Sequence, residues 1–422
     1  MDASRRPWSA APLSCGKRPP VRAELLFVSL FSVATAVALA ARRLRLPYTV
    51  ALVLVGLAIG LLPLQSRVTL SKDLLFAVAL PGLLFEAAVH LREEWLADTR
   101  AGIATLAIPG VVIALFATAY LLWPAINGLV PGFTLLDALA FGAATVATDP
   151  IAVVAAFRDL KAPRRLSVLI EGESLLNDGT GVVLFNLVLA AAAGSSLSLP
   201  AAAGQFVLVS AGGAVAGGVL AFLIVQVLRR IDDPMIEITL TVIAAYGSFA
   251  AAEQLGVSGV IATVAAGLVC GSAGRRGAHG ESTLGSLHTF WEYVAFALNS
   301  FVFLLMGMQV WLPKLLQEWK PILIAYAVVT LVRFAVVFAA AAALQGTRER
   351  MPWRWTVVAG WSGLRGALAM VLVLALPDTL PSRALIVDLT FGVVLLSIVV
   401  QGLTIGPLLR LLGVREEQGA QA

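Results

Sequence analysis

Apolar residues fill most of this chain in long blocks, which charged residues or Pro and Gly separate. The blocks are about as long as an α-helix needs to cross the ~30 Å hydrocarbon core of a membrane. The ~10-residue segments of alternating polarity that are typical of membrane β-barrels do not appear in the sequence. The pattern therefore predicts an all-α polytopic membrane protein with about thirteen transmembrane helices, at residues 23–41, 47–64, 72–91, 101–123, 133–157, 166–193, 201–229, 235–254, 257–272, 287–311, 320–345, 353–376 and 384–411.

The composition agrees with a membrane protein. Hydrophobic residues make up 59% of the chain and charged residues 13%, whereas soluble domains carry about 25% charged residues. The net charge of +5 does not indicate nucleic-acid binding, because the basic residues are scattered between apolar blocks and form no stripe. Two cysteines, Cys15 and Cys270, are too few for a disulfide framework or a metal-ligand cluster.

The distribution of Lys and Arg predicts which side of the membrane each loop occupies. With the C-terminus in the cytoplasm, eighteen Lys and Arg residues fall in cytoplasmic loops, and the opposite loops hold five, namely Arg67, Lys72, Lys314, Lys320 and Arg383. Because cytoplasmic loops are enriched in basic residues, we expect a multi-pass protein of the plasma (inner) membrane with a cytoplasmic C-terminus.

The polar N-terminal tail, residues 1–22, does not follow this bias. It is basic, yet an odd number of spans places it outside. A cleaved signal peptide ending at the A-x-A-like sequence of residues 38–40 is one alternative. That alternative would leave the C-terminus on the outer side, against the bias, so a start codon assigned too early or an outward basic tail is favoured.

Glycine pairs at a spacing of four recur in two of the predicted spans. Gly56 and Gly60 form one pair, and Gly213 and Gly217 form another. Small residues at this spacing let two helices approach closely in lipid. We interpret both pairs as helix-packing sites.

The span at 133–157 is interrupted by Thr148, Asp149 and Pro150. Proline lacks a backbone N–H, and it disfavours the helical conformation of the residue before it. One interpretation is that the helix ends here at the membrane surface. The other is a broken helix near the midplane, where freed carbonyls and the Asp149 carboxylate coordinate a cation.

The next span begins with the run EGESLLNDG, which places three acids and two neutral polar residues on an otherwise apolar helix. At 3.6 residues per turn, Glu171, Ser174 and Asp178 share one face, and Glu173 and Asn177 share another. A solvated helix entrance is the alternative, and it fits Glu171 better than Asp178, which lies two turns further in. Ionisable groups at such depth mark a transport path by default.

Three more ionisable residues lie inside predicted spans. Arg333 and Arg365 lie near the centres of their spans, too deep to reach an interface. Arg333 therefore needs an internal carboxylate, for which Glu173 is the candidate, and the glycines around Arg365 indicate a second helix break. Glu86 is flanked by apolar residues, and the alternative for it is a position close to a loop.

The two breaks lie seven spans apart. When the seventh span is set aside, six spans precede it and six follow it, with the breaks at corresponding positions. This arrangement is typical of transporters built from two inverted repeats.

Four motifs resemble the NhaP/NHE-type family of monovalent cation:proton antiporters. They are ATDP (147–150), EGESLLNDGTGVVLF (171–185), GLRGA (363–367) and LLFEAA (83–88). The resemblance extends from about the first span to the last, and the motifs together are highly specific. It implies an NhaA-like antiporter fold and a homodimer of thirteen-helix protomers. It also implies a dimerisation part (approximately 23–100 and 201–311) and a core ion-transport part that moves past it (approximately 101–193 and 320–411). The short C-terminal tail (412–422) departs from the family pattern, because many relatives carry a regulatory tail there.

The resemblance also implies roles for the polar residues. Asp178 would be the carboxylate that alternately binds a cation and a proton. The rest of the ion shell would come from Thr148, Asp149, Ser174 and Glu86. Na⁺ or K⁺ would bind at Asp178, Asp149, Ser174 and Thr148.

Other residues would support this site. Glu173 and Arg333 resemble the family's structural ion pair, and Arg365 lies in the GLRGA motif at the second break. Asn177 resembles the family's neutral neighbour of the carrier carboxylate. Family members with charge-moving exchange have an aspartate at that place, so we expect this chain to exchange one cation for one proton without moving net charge.

The sequence thus predicts a secondary active transporter that exchanges Na⁺, or else K⁺ or Li⁺, for H⁺ and serves pH and cation homeostasis, with no cofactor and no enzymatic activity. A channel lacks support because filter loops and a repeated pore helix are absent from the sequence. A transporter for another solute such as an anion is disfavoured by the carboxylate-rich site. An intramembrane aspartic protease finds support only in the sequence Asp178-Gly179-Thr180-Gly181.

Overall fold

The computed structural model describes residues 23–44, 46–62, 75–194, 198–275 and 281–415, and every regular element within these ranges is helical. We number the helices in chain order as follows: α1 (Ala23–Leu44), α2 (Tyr48–Gly60), α3 (Leu80–His90), α4 (Glu93–Ala97), α5 (Arg100–Asn127), α6 (Leu135–Thr145), α7 (Ile151–Leu160), α8 (Arg164–Ala192), α9 (Leu199–Leu228), α10 (Pro234–Gln254), α11 (Gly259–Ala273), α12 (Glu281–Gln309), α13 (Leu312–Gln317), α14 (Trp319–Ala343), α15 (Trp353–Trp361), α16 (Ala367–Leu374) and α17 (Arg383–Leu412).

These helices confirm the predicted all-α membrane fold. Within the described residues, a helix or a pair of helices occupies each of the thirteen predicted segments. Seven stretches, in α5, α8, α9, α10, α12, α14 and α17, are long and apolar enough to cross a membrane. The number of crossings and the inverted repeat stay predictions. The predicted N-terminal tail and most of the C-terminal tail lie outside the described residues.

Both predicted helix breaks are present. The segment at 133–157 divides into α6, which ends at Thr145, and α7, which begins at Ile151. The segment at 353–376 divides into α15, which ends at Trp361, and α16, which begins at Ala367. Proline accounts for the first break. In the second, the backbone at Gly366 is extended, and a Cβ atom there would overlap Asp149.

Three π-turns lie wholly within the described residues, at Leu75–Ala79 before α3, at Leu106–Gly110 in α5 and at Ser397–Gln401 in α17. The turn in α5 contains Pro109, which has no N–H to donate to the carbonyl four residues earlier. A π-turn pairs residues five apart, so this local change of hydrogen bonding lets the helix continue past the proline. The hydrophobic pattern does not predict these turns, because a π-turn leaves the run of apolar residues unbroken.

The helices pack in two groups that meet at α8. In one group α2 packs against α12, α3 against α11, and α9 against α10 and α11. In the other, α5 packs against α6 and α14, and α17 against α6, α14 and α16. Helix α8 contacts α3, α9 and α11 of the first group as well as α5 and α6 of the second. Movement of one group past the other, with the boundaries given above, stays a prediction.

The glycine pairs lie at close helix crossings, as their spacing predicts. A Cβ atom on Gly56 would overlap the carbonyl of Leu304 in α12, and one on Gly217 would overlap the carbonyl of Ala262 in α11. At these two crossings the backbones of the two helices lie so close together that a side chain on the glycine would force them apart.

Candidate functional site

The two broken helices meet at their breaks. The backbone N–H of Asp149, in the first break, donates to the carbonyl of Leu364, in the second, at 2.8 Å. The Asp149 carboxylate accepts the N–H of Ile151 at 3.0 Å and so starts α7. Gly366 lies against this carboxylate, which a Cβ atom at position 366 would overlap. The crossing thus depends on a glycine on one chain segment and an aspartate on the other.

Arg365 stabilises the end of α6. Its Nη1 donates to the carbonyls of Val146 and Ala147, at 2.9 and 3.3 Å. The last carbonyls of a helix lack intrahelical partners and carry partial negative charge, so a buried guanidinium satisfies both. The hydroxyl of Ser397, in the π-turn of α17, accepts the backbone N–H of Arg365 at 3.0 Å.

Helix α8 holds the first break in place through Asn177 and Ser174. The Asn177 Nδ2 donates to the Thr148 hydroxyl at 2.7 Å and to Glu173 Oε1 at 2.8 Å. The Asn177 Oδ1 accepts the Thr148 N–H at 3.3 Å, and the Ser174 hydroxyl donates to the Thr148 carbonyl. Asn177 is completely buried, so its amide acts as a fixed link between α8 and the break.

Glu173 and Arg333 form the predicted ion pair. Arg333 Nη1 donates to Glu173 Oε1 and Nη2 to Oε2, each at 2.8 Å. Nη2 also donates to the carbonyl of Ala359 in α15 at 3.3 Å. Only 1% of Glu173 and 8% of Arg333 are exposed, so this two-pronged pair joins α8 to α14 inside the protein.

Asp178 lies next to this network and is only half-buried. It is within electrostatic range of Asp149 and Glu173, and Asp149 is also half-buried. Oxygen atoms of carboxylates, hydroxyls and carbonyls are the ligands that a hard cation prefers. Among the described residues, no three His, Cys, Asp or Glu side chains form a metal cluster. The carboxylate, hydroxyl and carbonyl oxygens gathered here are of the kind that a hard cation prefers.

Glu86 lies in a different group of charged residues. Its carboxylate is 3.3 Å from His90 Nδ1 in the same helix, and Arg158 and Glu292 are within electrostatic range. Glu171 is close to Glu86 and Arg158 as well. The hydrogen bonds described around Thr148 do not include Glu86, so its place in the ion shell stays a prediction.

Sequence reasoning missed two residues that position the site. Thr180, two residues after Asp178, donates to the carbonyl of Ala107 in the π-turn of α5 at 2.8 Å. Asp137 caps the start of α6 together with Thr134, and it accepts the Ser382 hydroxyl at 2.9 Å. The T-x-x-D spacing is that of a capping box, which the sequence could have revealed. Nothing in the sequence marks the partner of Thr180.

The sequence and the fold both match known transport proteins. Residues 28–411 match the family described as "Sodium/hydrogen exchanger, transmembrane". The chain is 37% identical over 371 residues to the Na⁺/H⁺ antiporter ApNhaP of Aphanothece halophytica, covering 87% of this chain and 70% of that protein. It is 37% identical over 347 residues to the Na⁺/H⁺ antiporter NhaP of Pseudomonas aeruginosa, covering 80% and 81% of the two chains.

A solved structure supports the fold. The sodium proton antiporter MjNhaP1 of Methanocaldococcus jannaschii at pH 8 superposes with a TM-score of 0.75 at 22% identity, over 92% of this chain and 98% of that one. The predicted NhaP/NHE-type resemblance is therefore confirmed by the family match and by the relatives. The chain belongs to the sodium/hydrogen exchanger family.

Proposed function

We propose that this chain exchanges Na⁺ for H⁺ across a membrane, with Asp178 as the group that carries either ion. The observation that carries the proposal is the place of Asp178 on α8, beside the point where Asp149 N–H bonds to the Leu364 carbonyl. The names of the relatives support Na⁺ as the cation. Broken helices that cross near the middle of the bilayer are the usual site of ions in secondary transporters.

Some residues around Asp178 bind the cation, and others hold the binding residues in place. Asp149, the Thr148 and Ser174 oxygens and the carboxylate of Asp178 supply the ligands of the cation. Asn177 holds Thr148 against α8 through its amide, and the Glu173–Arg333 pair fixes the helix that carries Asp178. Arg365 holds the carbonyls of Val146 and Ala147, which follow the end of α6. When a proton replaces the cation on Asp178, the same carboxylate is neutralised without a second site.

Transport follows from movement of the loaded site. The core part, with both breaks and α8, moves past the dimerisation part and exposes Asp178 to each side in turn, in a homodimer with its C-termini in the cytoplasm. An unloaded, ionised carboxylate is costly to move through a low-dielectric barrier, so the empty site crosses rarely and exchange is obligatory. K⁺ and Li⁺ are the other candidate cations, and no cofactor or enzymatic step is needed. In the plasma membrane such exchange serves pH and cation homeostasis.

The test uses purified protein in liposomes with an internal pH dye. A step in external pH followed by NaCl, LiCl, KCl or choline chloride should give cation-dependent proton movement, with choline inactive. We expect Asp178→Asn to abolish this movement, because the change keeps the shape of the side chain and removes its charge and its proton. Asp232→Asn is the matched control, since Asp232 is exposed in the loop between α9 and α10.

Two results would contradict the proposal. Full activity of Asp178→Asn would remove this residue from the mechanism. A steady conductance through the wild-type protein, without coupling between cation and proton, would instead identify a channel. Folding of the variant is checked by gel filtration and by its melting temperature, so that loss of exchange is not confused with loss of the protein.

A further inference from the structure

An apolar cleft opens between α5 and α14. Its volume is about 590 Å³, within the range of pockets that bind small molecules. Small residues line it, among them Gly110, Ala117, Ala335 and Ala339. Ala335 and Ala339 are exposed, so nothing in the described chain covers the cleft.

The cleft is long and narrow. Along α14 its lining runs from Leu331 to Ala343, which at 1.5 Å per residue is roughly 18 Å. One leaflet of a bilayer contributes about half of the ~30 Å hydrocarbon core. The cleft therefore has about the length of one acyl chain.

Basic residues lie close in sequence to the lining residues at one end of the cleft. Arg100 begins α5, just before Thr105 in the lining, and Arg348 and Arg350 follow the end of α14. Between these two arginines, the Glu349 carboxylate accepts the N–H groups of Ala101 and Gly102, at 3.1 and 2.8 Å. This contact holds the loop between α14 and α15 against the start of α5. The exposed residues Arg100, Arg348 and Arg350 therefore lie at the same end of the two helices.

We propose that the cleft binds one anionic phospholipid, with an acyl chain along Ala335 and Ala339 and the phosphate group at Arg100 and Arg348. Apolar walls of leaflet length that end at a cluster of arginines match an amphiphile with a negative headgroup. Arginine forms two-pronged hydrogen bonds with phosphate, and basic residues at the membrane surface attract anionic headgroups. The proposal does not depend on which ions the protein exchanges.

The bound lipid stabilises α5 and α14, the two helices that line the cleft and that contact residues of the ion site. Val332 and Val336 line the cleft on either side of Arg333, which pairs with Glu173. On the opposite wall, the π-turn that contributes Pro109 and Gly110 also contains Ala107, whose carbonyl accepts the Thr180 hydroxyl of α8. An occupant that prevents α5 and α14 from separating thus stabilises contacts on both sides of Asp178.

The test compares phosphatidylglycerol with phosphatidylcholine, each added to the delipidated protein in detergent. Melting temperature and native mass spectrometry report stabilisation and the number of retained lipids. We expect a higher melting temperature with phosphatidylglycerol and one retained molecule per protomer. Ala339→Leu, which fills the cleft, and the double change Arg100→Gln with Arg348→Gln should each remove at least half of this difference. Ala342→Leu and Arg230→Gln are the matched controls, because both positions are exposed and neither lines the cleft.

Several outcomes would overturn the proposal. Equal stabilisation by the two lipids would mean that the arginines do not select a headgroup. An unchanged phosphatidylglycerol effect in Ala339→Leu would place the lipid elsewhere. A change of oligomeric state in Ala339→Leu would identify the cleft as a contact with a second copy of the chain. If Ala339→Leu does not fold, Ala335→Leu fills the same cleft one turn earlier, and the arginine variants test the headgroup independently.

Discussion

Arg333 and Arg365 are both buried inside the protein, and the protein accommodates their charges in different ways. Arg333 is paired with the Glu173 carboxylate through both terminal nitrogens. Arg365 donates to the Val146 and Ala147 carbonyls, so its partner is the negative end of a helix. A mutation can remove the partner of Arg333, which is a side chain. It cannot remove the partners of Arg365, because they are backbone carbonyls.

Glu173→Gln should therefore destabilise the protein, because it leaves Arg333 charged and without its carboxylate in a low-dielectric interior. Breaking one side of a buried pair costs about 3–5 kcal/mol in soluble proteins. Glu173→Gln combined with Arg333→Met should be less harmful than either change alone. The measurement is a double-mutant cycle on thermal or denaturant unfolding.

The control is the pair formed by Asp378 and Arg383, 3.3 Å apart, in which Asp378 is largely exposed. Asp378→Asn should leave stability unchanged, because water screens an exposed pair. Additive effects at positions 173 and 333 would show that the pair contributes no coupling energy.

At the scale of elements, the crossings of α9 with α11 and of α2 with α12 depend on the absence of side chains. The adjacent residues Gly217 and Gly218 in α9 allow a direct comparison. A Cβ atom on Gly217 would overlap the backbone of Ala262, whereas a Cβ atom on Gly218 meets nothing within 4 Å.

We expect Gly217→Ala to lower the melting temperature, because α9 and α11 must separate to admit the methyl group. Overpacking of this kind costs about 1–3 kcal/mol. Gly218→Ala should be neutral or slightly stabilising, since alanine favours the helix. Equal melting temperatures for the two variants would contradict the close crossing.

The broken helices were predictable from sequence because their causes are local. Pro150 removes a donor at the first break, and the glycines around Arg365 mark the second, so the residues at each break signal it in the sequence. The pairing of Glu173 with Arg333 was predictable because a charge buried this deeply requires a partner of opposite charge. The partners of Arg365 were not, because an arginine's charge suggests a carboxylate and gives no sign of helix carbonyls. Apart from His90 in the same helix, the neighbours of Glu86 come from three other helices, and no spacing within one helix reveals them.

In the proposed exchange, the charge of the loaded site decides whether membrane voltage affects transport. Asn177 occupies the place beside Asp178 and is fully buried, with its amide bonded to Thr148 and Glu173. An amide does not take up a proton at physiological pH, so it adds no second titrating group. Asp178 with one Na⁺ and Asp178 with one H⁺ carry the same net charge.

Exchange should accordingly be electroneutral, and membrane voltage should do no net work on the cycle. The measurement is the initial rate of Na⁺-driven proton movement in liposomes, with and without a K⁺/valinomycin clamp, and Asp178→Asn under the same clamp reports leak. We expect the same rate at each imposed voltage and no net current on a supported membrane. A second proton on Asp149 or Glu86 would make the loaded forms differ by one charge. Since moving one charge through 100 mV corresponds to about 2.3 kcal/mol, the rate would then change steeply with voltage, and one-for-one exchange would be wrong.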